Sequence, residues 1–350
     1  MKQIIPAIFL FPVLSFFFNK SDYKSGLLAN GKQPEISLSG GGTVGVVFGR
    51  NDSIFYSEGI KKGLNFPTPV FIAHVPQMHL GMSRGPQIAS SSHYTLITAM
   101  DQAGNMHWWL LNTNTEKILK TGLVNDIPSI APEGLMGIAS DNKDDFYAVW
   151  LDLRVNKQNN ICFSSLSAGD NHWSSNKIIY KSPEGHICEC CKPNIAVRGN
   201  HVAVMFRNWI SGSRDMYLME SFDKGKTFTK AQKLGMGTWK LNGCPMDGGG
   251  LAINDKNQVL TVWQRQGEVY YCKPGQREIM IDKGRICSIY SAGGKTICSF
   301  QQGDSIKYKD LMTSTETTLG PGSFPKVAIL ADKSVVCFWE RDSQIFFRRL

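Results

Sequence analysis

The feature that most constrains this chain is a repeated unit of short β-type segments separated by polar turns. Each unit has an apolar start, a central run that usually ends on an aromatic residue, a polar loop and another such run. The central runs are residues 44–48, 96–100, 146–150, 202–206, 259–263, 296–300 and 335–339. The segments alternate with period two or are β-branched and aromatic, which is typical of half-buried antiparallel strands.

Repeats of about 40 to 55 residues, each with four short strands, predict an all-β fold, a β-propeller. We count seven units, and the last lacks its fourth strand. The segment that follows the amino-terminal apolar run can supply that strand and close the ring. Because the last two units are short, six blades with a distorted extra segment is the alternative to seven.

Composition narrows the class of protein and of ligand. The 350 residues include 42% hydrophobic residues, enough for a large core and against a disordered or fibrous chain. The net charge, 38 − 29 = +9, favours an acidic ligand or surface. Basic residues are dispersed and form no polybasic arm, so we expect no nucleic-acid partner.

The amino-terminal segment resembles an export signal. Lys2 precedes an apolar run over residues 4–18, which is short for a membrane span. We predict a signal peptide or uncleaved anchor at residues 1–20; a buried strand or helix is the alternative. Residues 21–33 are then a linker or the closing strand, and residues 34–350 the propeller. The protein is predicted to be a secreted, periplasmic or cell-surface monomer, with no membrane contact beyond that anchor.

One turn carries a recognisable motif. Ser221, Asp223, Gly225, Thr227 and Phe228 fit the pattern Ser-x-Asp-x-Gly-x-Thr-Phe, and degenerate copies occur at residues 59–66 and 165–173. In this pattern the Ser and Asp side chains bond the turn, Gly takes a positive φ and the aromatic residue plugs the sheet. The pattern resembles the Asp-box, or BNR repeat, of the sialidase superfamily. Together with the cysteine segments described below, the chain is similar to secreted bacterial exo-α-sialidase-like proteins over residues 30–350.

The resemblance implies a fold and suggests an activity. Sialidases grip the substrate carboxylate with three arginines and use a Tyr nucleophile paired with Glu, and an Asp as acid/base. The Arg-Ile-Pro signature of these enzymes is absent here, where Pro34, Glu35 and Ile36 stand in its place. Tyr290 is the nearest candidate for the nucleophile. The Asp-box itself is structural, so hydrolysis rests on other residues.

Propeller topology predicts where ligand-binding residues converge. Loops before each first strand and after each second strand reach the same face, which we call the upper face. The predicted anion-binding residues on these loops are Arg84, Arg154, Arg207, Asn208, Arg265 and Arg341, because guanidinium groups suit carboxylate, sulfate or phosphate. The candidate acids or bases are Glu133, Asp152 and Asp247. For each arginine, pairing with a neighbouring acid is the alternative.

Four of the nine cysteines are clustered before two adjacent first strands. Cys188, Cys190 and Cys191 lie within four residues, and Cys244 lies about one blade later. Disulfides are the favoured interpretation, for example one within the cluster and one to Cys244. A copper(I) or zinc site using these cysteines with His186 or Met246 is the second interpretation, and free thiols the third. The other five are expected to be buried small hydrophobes.

These observations support three hypotheses. The first is a secreted sialidase-like propeller that binds an anionic glycan or other acidic small ligand without a required cofactor, with hydrolysis of a glycan as a further activity to be tested. The second is a non-catalytic binding or assembly module. The third is an extracytoplasmic metal-handling protein that uses the clustered cysteines.

Overall fold

The structure, a computed structural model, describes residues 25–59 and 65–350, which form 28 strands in seven four-stranded antiparallel sheets. The predicted signal, residues 1–20, lies outside the described residues, as does most of the degenerate motif at 59–66. The first three blades contain β2 (Lys32–Leu38), β3 (Val44–Arg50), β4 (Ser53–Glu58) and β5 (Val70–His74); β6 (Gln87–Ser90), β7 (Tyr94–Met100), β8 (Met106–Asn112) and β9 (Ile118–Leu123); β10 (Met136–Ser140), β11 (Asp145–Asp152), β12 (Asn160–Ser167) and β13 (Lys177–Tyr180).

The remaining four blades continue in chain order. They contain β14 (Asn194–Arg198), β15 (His201–Ile210), β16 (Ser213–Ser221) and β17 (Gln232–Lys233); β18 (Gly250–Ile253), β19 (Val259–Arg265), β20 (Glu268–Cys272) and β21 (Ile279–Lys283); β22 (Arg285–Ala292), β23 (Lys295–Gln302), β24 (Ser305–Asp310) and β25 (Glu316–Pro321); β26 (Ser323–Ile329), β27 (Val335–Arg341) and β28 (Gln344–Arg349), with β1 (Ser25–Asn30).

The seventh blade is completed by the first strand of the chain. β1 pairs antiparallel with β28, with Ser25 opposite Arg348 and Asn30 opposite Gln344. The all-β propeller prediction is therefore confirmed with seven blades. The alternative of six blades is wrong, because each short late unit has four paired strands.

The core lies between neighbouring blades, where the alternating strand residues meet. Trp108 and Trp150 are fully buried in a cluster that joins the second and third blades. The innermost strands surround a central channel with a cavity of about 610 Å³. No helix in the described part of the chain is both long and apolar enough to cross a membrane.

The motif turn at residues 221–228 lies on the lower face of the fourth blade. Asp223 accepts hydrogen bonds from the Thr227 backbone N–H (2.9 Å) and hydroxyl (2.6 Å), and Ser221 donates to Asp223 (2.7 Å). Gly225 has φ +81°, and the ring of Phe228 packs edge-on against Phe163. The polar side chains of the turn hydrogen-bond to one another and to the turn backbone, so they are not arranged to bind a ligand.

The degenerate motif at residues 165–173 keeps less of this arrangement. Trp173 is buried and packs edge-on against Trp108. Gly169, however, lies outside the positive-φ region, and its added Cβ would meet nothing. This turn retains only the aromatic plug.

Candidate functional site

A charged network closes the upper mouth of the central channel. Lys192 contacts Glu35 (Nζ to Oε2, 3.2 Å) and Gln87, and Lys326 contacts the same Glu35 oxygen at 2.8 Å. These side chains lie in or just before the innermost strands of four blades, so the ring brings them to one axis. They line a pocket of about 40 Å³.

The network sets the protonation of its members. Burial by itself would raise the pKa of Glu35, but attraction to Lys192 and Lys326 outweighs it and lowers the pKa. Burial lowers the pKa of Lys192 to about 8, in spite of the attraction of Glu35. The mouth thus holds two lysines on one carboxylate in a largely desolvated place.

Arg207 does not bind ligands as predicted. The side chain is 1% exposed and donates to three backbone carbonyls, those of Asp247 (3.0 and 3.2 Å), Arg214 (2.8 Å) and Gln264 (3.0 Å). Its guanidinium therefore ties the fourth blade to the fifth. The prediction of an anion-binding fork is wrong because solvent does not reach this group.

Asp152 and Asp247 are also buried parts of the scaffold, and half-buried Arg154 is committed to Asp152. Asp152 accepts from Trp150 and a bidentate pair of bonds from Arg154 (2.8 and 3.0 Å). Asp247 accepts from the backbone N–H groups of Gly249 (2.9 Å) and Ile286 (2.7 Å). Both carboxylates are buried and fully engaged, so neither is placed to act as an acid or base on an external substrate.

Asn208 and two further arginines are engaged as well. Asn208 is fully buried and donates to the hydroxyl of Tyr180. Arg265 pairs with Glu278 at 2.6 Å and lies over the ring of Tyr270, whereas the 40% exposed Arg341 lies over Phe346.

Arg84 and Glu133 are two predicted site residues that meet at the upper face and keep part of their side chains exposed. Arg84 Nε donates to the Glu133 carbonyl at 2.5 Å, and Nη2 is 3.7 Å from the Glu133 carboxylate. Burial raises the pKa of Glu133, against the lowering effects of Asn159 and Arg84, and the charge of Glu189 adds to the rise. We call this pair the Arg84–Glu133 site.

The clustered cysteines form one disulfide and one pair of free thiols. Cys190 and exposed Cys244 are joined, which confirms that a bridge reaches Cys244 and links adjacent blades. The second bridge expected within the cluster is not formed: buried Cys188 and Cys191 are free thiols with Sγ atoms 3.4 Å apart. None of the four lines the channel or its mouth pocket among the residues that the structure describes. The cysteines therefore lie outside the wall of the channel, although their position before two first strands suggested the channel mouth.

An arginine faces the free thiols. Arg214 Nη1 donates to Cys188 Sγ at 3.0 Å and lies 3.4 Å from Glu189, while its buried Nε has no hydrogen-bond partner. The hydrogen bond with Cys191, aided by Arg214 and Arg207, lowers the pKa of Cys188 to about 7, although burial opposes this. Burial raises the pKa of Cys191.

The two noncysteine ligand candidates differ in placement. Met246 packs against the three buried cysteines. His186 is turned away: its ring stacks on Trp209 at 5.0 Å, and its Nδ1 lies 3.1 Å from its own chain at the Ile187 carbonyl. His186 is therefore not placed as a ligand.

Sequence reasoning missed the mouth network and the role of Arg214. A signal existed for the network, because a proline adjoins each of its four residues, which lie in or just before innermost strands: Glu35, Gln87, Lys192 and Lys326. Arg214 gave no such signal, since its contact with Cys188 joins the start of β16 to a loop 26 residues earlier in the chain.

No protein-family model matches the sequence, and no match was found among curated proteins. Solved structures share the architecture. They include an α-L-arabinanase of Penicillium chrysogenum complexed with arabinobiose (10% identity, TM-score 0.56, covering 93% of this chain and 97% of that one). The polysaccharide lyase Uly1 (10%, 0.54, 88% and 88%) and the WD40 repeats of RRP9 (8%, 0.58, 94% and 97%) are also similar. At these identities the similarity shows the β-propeller fold alone, and the number of blades comes from the seven sheets of this chain.

Proposed function

We propose that this protein is an exported, sialidase-like carbohydrate-binding propeller whose ligand is an anionic glycan held at the Arg84–Glu133 site. The observation that carries the proposal is the terminal end of the Arg84 guanidinium. Among the described residues neither terminal nitrogen has a hydrogen bond, Nη2 has only the 3.7 Å ion pair with Glu133, and the side chain is 17% exposed. Paired terminal nitrogens suit a carboxylate or sulfate.

The turn that presents Arg84 is strained. Gly81 and Arg84 exchange backbone hydrogen bonds of 3.0 Å, and between them Met82 and Ser83 have φ values of +53° and +64°. Such conformations cost of the order of 1–3 kcal/mol per non-glycine residue and cluster at ligand-binding sites. This backbone fixes where the guanidinium points.

Glu133 gives the site a group that can hold a proton. Its pKa is raised by burial, so the neutral form persists to higher pH than for an exposed glutamate. A neutral carboxyl beside Arg84 can donate a hydrogen bond to a sugar without repelling its acidic group. If the ligand is hydrolysed, Glu133 is the proton donor that this site offers.

An aromatic surface lies on the same side of the fold. Trp209 and His186 stack, and His186 lies 3.8 Å from Glu189, whose charge acts on Glu133. Aromatic faces and a few fixed polar groups are the usual lining of a small-ligand site.

The comparisons support the coarser part of the proposal only. An arabinanase and a polysaccharide lyase share the fold, and so do the WD40 repeats of RRP9, so the local chemistry must select the ligand. The sialidase nucleophile has no counterpart at this site, because half-buried Tyr290 lines the central channel instead, where desolvation raises its pKa to about 12. Binding is therefore proposed ahead of turnover. Export agrees with the disulfide at Cys190, since such bonds persist in oxidising compartments.

The test is binding of sialylated, sulfated and uronic-acid oligosaccharides, with neutral ones for comparison, measured by calorimetry. We expect the wild type to prefer an acidic ligand and Arg84→Met to bind it about 10- to 150-fold more weakly, as loss of charged hydrogen bonds worth roughly 1.5–3 kcal/mol implies. Arg341→Met is the matched control and should bind normally. Failure of the wild type to bind any acidic member, or equal binding by Arg84→Met, would refute the proposal. Release of sugar from fluorogenic glycosides, assayed in parallel, decides whether the protein is a hydrolase.

A further inference from the structure

The free thiols of Cys188 and Cys191 have no assigned role in carbohydrate binding. Both thiols are buried beside the disulfide of Cys190, and Cys188 Sγ lies 3.7 Å from Cys190 Sγ. Nevertheless they are a dithiol, while the exposed Cys244 takes Cys190 as its partner. A buried dithiol beside a disulfide calls for a chemical reason.

We propose that Cys188 and Cys191, with the thioether of Met246, form a binding site for a soft monovalent cation, copper(I). Thiolate and thioether sulfurs are the ligands that select copper(I) over harder cations. The three side chains lie together in one buried cluster of the fourth and fifth blades.

The spacing of the sulfurs suits a shared ion after a small opening. The two Sγ atoms are 3.4 Å apart. Two thiolates on one three-coordinate ion, at metal–sulfur distances near 2.3 Å and angles near 120°, lie about 4.0 Å apart. A rotamer adjustment of a few tenths of an ångström on each side is sufficient.

The charge of the surroundings fits two thiolates and one positive ion. Such a unit carries one negative charge, and Arg214 already lies 3.0 Å from Cys188 Sγ. The buried Nε of Arg214 lacks a hydrogen-bond partner, and the carboxylate that pairs with this cation among the described residues is that of Glu189, at 3.4 Å. A copper–dithiolate unit supplies the missing negative charge in a place where an unpaired charge is costly.

The ligand set disfavours zinc. Structural zinc takes four ligands from Cys, His and acidic side chains. Cys190 is held in the disulfide, His186 stacks on Trp209, and Glu189 is engaged by Arg214. Two thiolates and a thioether remain, which is a low-coordinate set.

The disulfide shapes this site without joining it. Cys244 is two residues from Met246, whose φ of +51° is unusual for an unbranched apolar residue. The bridge to Cys190 therefore fixes the segment that turns the Met246 side chain onto the thiols. Cys244 is exposed and Met246 half-buried, which gives the ion a route from solvent.

The test uses the full-length exported form with its disulfide intact. Copper(I) is titrated anaerobically against a chromophoric copper(I) chelator at pH 7, and X-ray absorption identifies the ligand atoms. We expect one ion per chain with sulfur-only coordination, at least 100-fold weaker binding in Cys188→Ser and Cys191→Ser, and about tenfold weaker binding in Met246→Leu. Cys162→Ser, at a buried lone cysteine of the third blade, is the matched control and should bind normally.

Several results would overturn the proposal. They are absence of stoichiometric copper(I), normal binding by Cys188→Ser, a Cys188 to Cys191 disulfide in the metal-free protein, and displacement of the copper by zinc. Binding that requires prior reduction of the Cys190 bridge would replace the proposed site by a four-sulfur site. Because serine variants could fold poorly, thermal unfolding is followed too: copper(I) should raise the melting temperature of wild type and Cys162→Ser, and raise that of Met246→Leu less. Acidic glycan binding by Cys191→Ser should be unchanged, which separates this test from that of the proposed function.

Discussion

The two ends of the fourth blade use polar residues in opposite ways. At the lower end, the turn around Asp223 satisfies its polar groups internally, and the Thr227 bonds hold the pKa of Asp223 below its usual range. At the upper end, Arg214 keeps an unpartnered nitrogen, and Cys188 and Cys191 remain free thiols. Polar groups that hydrogen-bond only to one another stabilise the fold, whereas converging groups with unbonded donors or acceptors can bind a ligand. This criterion separates Arg84 from Arg207, two residues that sequence position alone treats alike.

The largest expected loss of stability comes from a substitution at the upper end of the fourth blade. Arg207→Met removes the donors of three buried carbonyls and should lower the free energy of unfolding by about 3–5 kcal/mol, since each orphaned acceptor costs roughly 1–3 kcal/mol before water or relaxation compensates. Urea denaturation at pH 7 measures it. Arg341→Met, at a partly exposed arginine of the seventh blade, should stay within about 0.5 kcal/mol of wild type. A loss below 1 kcal/mol for Arg207→Met would mean that this residue is not a structural tie.

The clamp between the upper ends of the fourth and fifth blades should contribute nearly as much. Cys244→Ser opens a bridge with a sequence separation of 54 residues. Chain entropy gives about 4 kcal/mol for such a loop, and native bridges commonly yield roughly 2–4 kcal/mol. Because Cys244 is exposed, the serine hydroxyl adds no burial penalty. Asn242→Ala, at an exposed neighbour, is the control for denaturant unfolding, and equal stability of the two variants would show that the bridge does not stabilise the fold.

The lower end can be tested with two glycines of the same blade. Gly225 and Gly199 have φ values of +81° and +59°, but an added Cβ at Gly225 would lie 2.3 Å from the Phe163 ring, whereas at Gly199 it would meet nothing. Gly199→Ala should cost about 1 kcal/mol for the left-handed backbone, and Gly225→Ala about 2–3 kcal/mol because overpacking adds to it. Denaturant unfolding compares them. Equal losses would show that the ring of Phe163 yields freely.

The fold was more predictable than the site, for a physical reason. Strand period and turn chemistry are local properties of the sequence. The repeated runs therefore predicted the seven units and the closing strand, and Gly225 and Phe228 predicted a turn of the fourth blade. The partners of a guanidinium are not local. Arg207 donates hydrogen bonds to Asp247 and Gln264 of the fifth blade, and no spacing in the sequence predicts that its guanidinium is buried there.

The cysteines show the same limit. Their positions before adjacent first strands predicted a link between blades, which the bridge at Cys244 provides. Which of three neighbouring sulfurs takes part depends on the path of the loop and on Arg214. Chemistry at the upper face therefore has to be taken from contacts, whereas the architecture follows from pattern.

The smallest expected effect is a pH dependence at the channel mouth, above the innermost strand of the same blade. The folded-state pKa of Lys192 is about 8, below the value near 10.4 expected when unfolded. Between these values the unfolded chain binds more protons, so this lysine should make the free energy of unfolding rise with pH, relative to a variant that lacks it.

Lys192→Met should remove that rise, on the order of 1 kcal/mol between pH 8 and 9.5, because the coupled charges of Glu35 and Lys326 absorb part of the full linkage. Urea unfolding across this range, with exposed Lys230→Met as the control, measures the difference in slope. An unchanged slope in Lys192→Met would mean that the lysine is solvated when folded. The mouth would then be open to water, and the charged side chains at this end of the blade would be solvated as they are in an exposed loop.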